Sequence, residues 1–206
     1  MVYTLVLGSK NLSSWSLRAW LGLRQFGLPF DEVVIELDQP QTQAEILAHS
    51  PAGRVPVLKI GDLAVWDSLA ILETLAERHP DLPFWPADAA ARARARSISA
   101  EMHAGFAALR DELPMDCRLR TTMPAVSADA AADIARIQAL WRTARAQAGG
   151  AGPFLFGAFS IADAMYAPVV SRFVTYDVAL EPPCRAYADA VMALPAMRVW
   201  LAAAES

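Results

Sequence analysis

The sequence predicts an α/β unit followed by an all-helical one, and three observations carry that expectation. Up to His79, short β-branched apolar runs alternate with segments of helical periodicity. A stretch holding Pro80, Pro83 and Pro86 then interrupts the pattern. Beyond it the chain is rich in alanine and repeats its apolar residues at helical spacing, with no strand pattern. The expected division is an α/β domain over residues 1–79, a linker over 80–87 and a helical domain over 88–206.

The elements follow in order. Val2 to Leu7 is a short apolar run that reads as a strand. Ser14 to Phe26 carries Leu17, Trp20, Leu21 and Leu23 at helical spacing and stops at Gly27 and Pro29. Val33 to Leu37 reads as a second strand, and Thr42-Gln43-Ala44-Glu45 fits a capping box opening a short helix before Pro51. Pro56 to Ile60 and Ala64 to Trp66 flank Gly61-Asp62, which is a hairpin signal. Ser68 to Arg78 then places Leu69, Ile71, Leu72 and Leu75 on a helix. The order β-α-β-α-β-β-α describes a small mixed sheet with helices packed on it. In the second half, one helix is expected over 88–113, carrying Ile98, Met102, Phe106, Leu109 and Leu113, and another over 129–147. Ser160-Ile161-Ala162-Asp163 opens a third, and a last one closes the chain near Trp200, for a bundle of about five helices.

Composition removes several classes of function. Of 206 residues, 55% are hydrophobic and 19% charged, which excludes disorder as the main state. The net charge of −4 offers no basic footprint for nucleic acid. The apolar runs are broken by Arg, Asp or Pro short of the ~18 residues a membrane span needs. The first ten residues have no basic leader before their apolar run, which argues against a secretory signal. Cys117 and Cys184 make no zinc or CxxC spacing, so reduced thiols in a cytosol are expected. His49, His79 and His103 show no metal spacing either.

Three short constellations carry chemistry. Ser13-Ser14-Trp15-Ser16-Leu17-Arg18 lies between the first strand and the first helix. A serine there caps the helix. The same helix start is also an anion site, and a hydroxyl placed on it can donate to a thiolate and favour that form over the thiol. Ser50-Pro51-Ala52-Gly53-Arg54-Val55-Pro56 enters the hairpin. A cis bond before Pro56 would leave the Val55 backbone free to pair with an extended peptide, although a sequence only permits such a bond. Asp67-Ser68 opens the next helix, with Ser68 as the plausible cap. The pair also offers a carboxylate, a hydroxyl and helix-start amides for a zwitterionic amino-acid head.

In this order, within this element pattern, the three motifs and Ser160-x-x-Asp163 resemble the glutathione S-transferases over essentially the whole chain. The Ser-Ser-x-Ser-x-Arg stretch is most similar to zeta-type and related bacterial serine-class members. The resemblance implies a thioredoxin-like N-terminal domain, a helical C-terminal domain and a cytosolic homodimer. It implies glutathione as co-substrate with no metal or organic cofactor, and no nucleic-acid or membrane partner. Ser13 or Ser14 would activate the thiol: the zeta pattern points to Ser13, and counting four residues back from Arg18 points to Ser14. Val55, held by Pro56, would pair with the cysteinyl part of glutathione. Asp67 and Ser68 would hold its γ-glutamyl end, and Arg54 would stand near its glycine carboxylate. Ser160 and Asp163 match a capping box that serves folding.

The resemblance also implies an electrophile pocket between the two halves, lined by Trp15, Met102, His103, Phe106 and Met115. Trp15 stands where zeta-type proteins usually carry cysteine, which alters the shape beside the thiol. The expected activity is attack of the glutathione thiolate on a small apolar electrophile. One alternative is a glutathione-dependent isomerase acting on a maleyl compound, with Arg110 or Arg118 supplying cationic groups. The other is a non-catalytic binding or regulatory module of the same fold. A thioredoxin-like oxidoreductase is disfavoured because the first-helix site has no cysteine.

Overall fold

The structure, a computed structural model, describes residues 3–205. Its first part runs β1 (Tyr3–Gly8), α1 (Ser14–Gln25), β2 (Phe30–Ile35), α2 (Thr42–Leu47), β3 (Val57–Ile60), β4 (Leu63–Trp66) and α3 (Ser68–Arg78). This is the element order expected from the sequence. The strands form one mixed sheet in the order β2-β1-β3-β4, with β1 and β2 parallel and the other neighbours antiparallel. Gly61 turns the β3–β4 hairpin at a φ of +61°, a conformation that a residue without Cβ adopts at no steric cost.

The second part is helical: α4 (Ala89–Ala104), α5 (Ala107–Glu112), α6 (Ala128–Gln147), α7 (Ile161–Thr175), α8 (Pro182–Ala193) and α9 (Pro195–Glu205). Residues 80–87, between the two parts, are pinned rather than loose. Phe84 is buried, and its carbonyl accepts the Ile161 N–H at the start of α7.

Four local expectations are corrected. β2 lies at Phe30–Ile35 rather than Val33–Leu37, because its parallel register pairs Tyr3 with Phe30 and Gly8 with Ile35. Leu37 falls past the strand and donates its N–H to Ser9 Oγ. The Thr42–Glu45 capping box does not form. The Thr42 hydroxyl donates to the Glu36 carbonyl and accepts from Gln39, closing the preceding turn instead. The helix expected over 88–113 is two helices. Gly105 ends α4, and Phe106, at a φ of +60°, redirects the chain while its ring stays in the core. The bundle therefore has six described helices rather than about five.

One apolar cluster runs through both parts. Leu5 and Leu7 of β1, Leu17 and Leu21 of α1, and Trp141 and Trp200 of the helical part are all fully buried. Each such leucine contributes about 1.5–3 kcal/mol relative to exposure. A smaller cluster of Val6, Ile35, Ile46 and Val57 lies on the opposite face of the sheet, where Ile46 of α2 covers it. Helix α1 packs between the sheet and α7. That position explains why even its polar residues Ser16 and Arg18 are buried.

Helix α7 is buried along nearly its whole length and carries Pro168 inside it. Its capping box forms as the sequence predicts: Asp163 accepts from the Ser160 N–H (2.8 Å), the Ser160 hydroxyl (3.1 Å) and the Leu155 N–H (3.0 Å). Burial outweighs these bonds and pushes the Asp163 carboxyl up to about 6.

Candidate functional site

The site begins with the first turn of α1. Ser13 is its N-cap and accepts the Ser16 N–H (3.4 Å). The Ser13 hydroxyl also donates to Ser16 Oγ (2.7 Å), which in turn accepts the Gly8 N–H (3.0 Å). Ser13 is therefore tied into the end of β1. Ser14, one residue on, has no side-chain partner among the described residues. It is largely buried but lines the cavity described below. The first turn of α1 holds no acidic residue, so its free N–H groups and positive dipole end face no built-in anion.

Opposite α1 stands the loop into β3. The Val55–Pro56 peptide bond is cis. Neither the N–H nor the C=O of Val55 has a hydrogen-bond partner among the described residues. Unpaired main-chain groups at the entry to a strand suit a ligand that is itself a peptide.

The third wall is the start of α3. Its cap is Asp67, not Ser68 as the sequence suggested: Asp67 Oδ1 accepts from Leu69 N (2.9 Å) and Ala70 N (3.3 Å). Asp67 has a φ of +75°, a strained backbone for a residue with a side chain and of the kind that gathers at ligand sites. Its second oxygen, Oδ2, meets His103 Nε2 of α4 at 3.2 Å. The Ser68 hydroxyl is buried without a hydrogen-bond partner among the described residues.

These walls enclose a cavity of about 830 Å³, within the size range of small-molecule sites. Its lining includes Ser13, Ser14, Arg54, Val55, Asp67 and Ser68, with Pro56, Trp15 and His103 beside them. All of the residues assigned by resemblance to thiol activation and glutathione binding thus lie around one space. The electrophile residues divide. Trp15 and His103 line the cavity and touch each other edge to face (5.2 Å between ring centroids). Met102, Phe106 and Met115 lie instead in the hydrophobic core and are not among the lining residues. Met102 lies on the buried face of α4 with Ala95 and Ile98, and Phe106, at the α4–α5 break, keeps its ring in the core.

The two arginines that the isomerase alternative would use also part company. Arg110 of α5 stands over the Trp15 ring (5.6 Å), beside the cavity wall. Arg118 donates to the Ala204 carbonyl (2.6 Å) near the chain's end, away from Ser14 and Asp67. Two further arginines take positions the sequence did not indicate: Arg18, used above only as the end of the serine motif, and Arg172, which was not singled out. Arg18 lies fully buried against Trp15 (4.3 Å), and Arg172 is buried on α7. The signal was present for Arg172, which is the one charged residue from Ala167 to Val174.

The comparisons with known proteins agree with this geometry. The family model described as "Glutathione S-transferase, N-terminal domain" matches residues 12–78, and the model for the C-terminal domain matches residues 88–203. A probable maleylacetoacetate isomerase of Caenorhabditis elegans is 32% identical over 102 residues, covering 50% of this chain and 47% of that protein. Glutathione S-transferase 1 of Dianthus caryophyllus is 39% identical over 88 residues, covering 42% of this chain and 40% of its own. The chain spans about half the length of the curated relatives it matches. Among solved structures, a Burkholderia glutathione transferase homolog with bound glutathione superposes at a TM-score of 0.75 and 23% identity, covering 100% of this chain and 99% of that one. A sphingomonad glutathione S-transferase complexed with glutathione gives 0.70 at 25% identity, over 98% of each chain. With both of its parts matched in sequence and the whole matched in fold, the chain belongs to the glutathione S-transferase family.

Proposed function

We propose that this chain binds glutathione in the 830 Å³ cavity, holds its thiol as thiolate and transfers it to a small electrophile. The observation that carries the reading is the convergence on one space of an unpaired hydroxyl, Ser14, an unpaired peptide unit, Val55, and the Asp67–Ser68 pair. In this reading the Ser14 hydroxyl donates to the sulfur. The acid-free start of α1 adds its dipole, and both favour the charged form. A free thiol titrates near about 8.5, so any lowering increases the thiolate present at neutral pH. Ser13 serves the cap that orients Ser14.

The remaining contacts follow from charge and shape. Val55 pairs its N–H and C=O with the cysteinyl unit. Asp67 Oδ2 takes the γ-glutamyl ammonium, while the Ser68 hydroxyl and the α3 amides take its carboxylate. Arg54, exposed at the rim, faces the glycine carboxylate. In the transfer step the sulfur lone pair forms the C–S bond and the leaving group departs with its bonding pair. The thiol proton has already passed to solvent. The protein contributes positioning and charge stabilisation, as such a step requires. A maleyl isomerase would use the same thiolate, and the cavity geometry does not favour it over transfer. The reading carries with it a cytosolic location and assembly as a homodimer, the latter checked by light scattering.

Calorimetric titration with reduced glutathione, followed by turnover of a neutral chlorodinitrobenzene, tests the proposal. Saturable binding with turnover is expected. Saturation without turnover would leave a binding module, and no saturation at millimolar glutathione would remove the assignment.

A further inference from the structure

The two oxygens of Asp67 have separate tasks. Oδ1 accepts from the Leu69 and Ala70 amides and caps α3, so Oδ2 is the oxygen left for a ligand. Among the described residues, Oδ2 meets one polar group, His103 Nε2 at 3.2 Å. Asp67 follows β4 in the first part of the chain, whereas His103 lies in the last turn of α4 in the second. His103 therefore reaches across the boundary between the two parts to the ligand oxygen. Its ring stands edge to face on Trp15, with 5.2 Å between centroids and 81° between planes. Its Nδ1 is buried and has no hydrogen-bond partner among the described residues.

The chemistry of the contact assigns the tautomer. A hydrogen bond to a carboxylate needs a proton on Nε2, and in the neutral ring Nδ1 is then an acceptor. Charging the ring would add an N–H at Nδ1, where nothing accepts it, and a buried donor left unpaired is costly. A carboxylate oxygen has two lone pairs, so Oδ2 can take the His103 N–H and an ammonium together. A charged imidazole at the same oxygen would hold Asp67 in an ion pair and repel the ammonium. The charged groups around the ring leave Asp67 as its acid. On the α5 side Arg110 donates to the His103 carbonyl (3.4 Å), and on the α1 side Arg18 stands over the far partner, Trp15 (4.3 Å). On α4 itself, Glu101 is engaged by Arg136 (2.7 Å).

Resting on the transferase reading above, we infer that His103 is a positioning residue for glutathione rather than a wall of the electrophile pocket. Its neutral imidazole, donating from Nε2, holds the Asp67 carboxylate in the orientation that receives the γ-glutamyl ammonium, and a charged imidazole there turns glutathione away. With Oδ1 fixed on the α3 amides, His103 is the second anchor that stops the carboxylate pivoting about that one oxygen. The helical part of the chain thereby takes a share in recognising the co-substrate, which the sequence motifs place wholly in the first part.

S-methylglutathione, which has no thiol to titrate, is the probe, and its affinity is measured by calorimetry between about pH 5 and 8, the range in which imidazole changes charge. In the unaltered protein the affinity is expected to fall about tenfold towards the acid end. A flat profile would overturn the inference, and that measurement needs no variant to fold. His103→Gln offers a neutral amide N–H in place of Nε2–H. It is expected to keep the affinity at about pH 8 within about twofold while flattening the profile. His103→Phe keeps a ring against Trp15 but has no donor, and is expected to bind about fivefold more weakly at the same pH. That loss should vanish when Asp67→Asn is already present, because the two residues act through one contact. A His103→Gln protein that keeps the unaltered pH profile, or a His103→Phe loss that persists beside Asp67→Asn, would also overturn it. The two levels separate in the first titration. If the probe saturates the unaltered protein with a flat profile, only the role of His103 falls. If it saturates at no pH, the transferase reading falls and this inference with it.

Discussion

Helix α1 begins at a serine cap followed by a serine, and helix α3 begins at an aspartate cap followed by a serine. Both starts open onto the same cavity, and in both the second serine hydroxyl lacks a partner among the described residues. The difference lies in the cap. At α1 the cap is neutral and locked to Ser16, so the dipole end remains uncompensated and suits a thiolate. At α3 the cap is a carboxylate with one oxygen spent on amides and the other facing the cavity side at His103, so it suits an ammonium. One helix-start geometry is made to favour opposite charges by exchanging a hydroxyl for a carboxylate. The start of α7 is the control: Ser160 and Asp163 satisfy each other, and neither lines the cavity.

The largest effect is expected at Ser14. Ser14→Ala should lower kcat about 100-fold, the loss typical of removing one donor to a developing or stabilised anion, with KM for glutathione little changed. Ser13→Ala should behave differently, costing about 1 kcal/mol of stability through the lost cap and leaving most of the turnover. If steady-state kinetics and melting curves show the two variants to be alike, the division between cap and donor is broken.

Asp67→Asn comes next. Asparagine tolerates a positive φ and still caps the helix, so the melting temperature should hold while KM for glutathione rises about tenfold, as loss of a charge-assisted hydrogen bond implies. An unchanged KM would take Asp67 out of ammonium binding.

Asp163 sharpens the contrast with the third helix start. Its folded-state pKa of about 6 lies above the ordinary carboxylate value, so the folded chain binds the proton more tightly than the unfolded one. The stability it contributes is fully present below about pH 4 and lost as pH rises through about 6. The unfolding free energy from denaturant titrations across that window should therefore fall relative to that of Asp163→Asn, by roughly 3 kcal/mol. Parallel pH profiles would contradict this.

The smallest effect is expected at Ser68. Removing a buried hydroxyl that has no partner among the described residues should leave stability unchanged or slightly raised, while glutathione affinity falls a few-fold. A clear loss of stability in Ser68→Ala would mean the hydroxyl is satisfied in the folded protein.

What was legible in the sequence was local. Ser13-Ser14, Gly53-Arg54-Val55-Pro56 and Asp67-Ser68 each sit at an element boundary where residue type decides backbone geometry, and the fold gathers them around one cavity. What was not legible depends on packing between elements. Thr42 looks like a cap until the Glu36 carbonyl claims its hydroxyl. Met102 and Phe106 have a spacing that fits one long helix, yet α4 ends at Ala104 with Met102 on its buried face, and the left-handed Phe106 starts a separate helix. Arg18 closes the serine motif in the sequence, but its full burial follows only from α7 packing over α1. The glutathione side of the cavity was therefore readable from motifs, whereas the electrophile side, built from three separated helices, was not.

The most direct test of the account is the pKa of the bound glutathione thiol, read from the ultraviolet absorbance of the thiolate across a pH series, in the unaltered protein and in Ser14→Ala. The account predicts a value at least about one unit below the ~8.5 of a free thiol in the unaltered protein, returning most of the way in the variant. A bound thiol that titrates like free glutathione in both would contradict it.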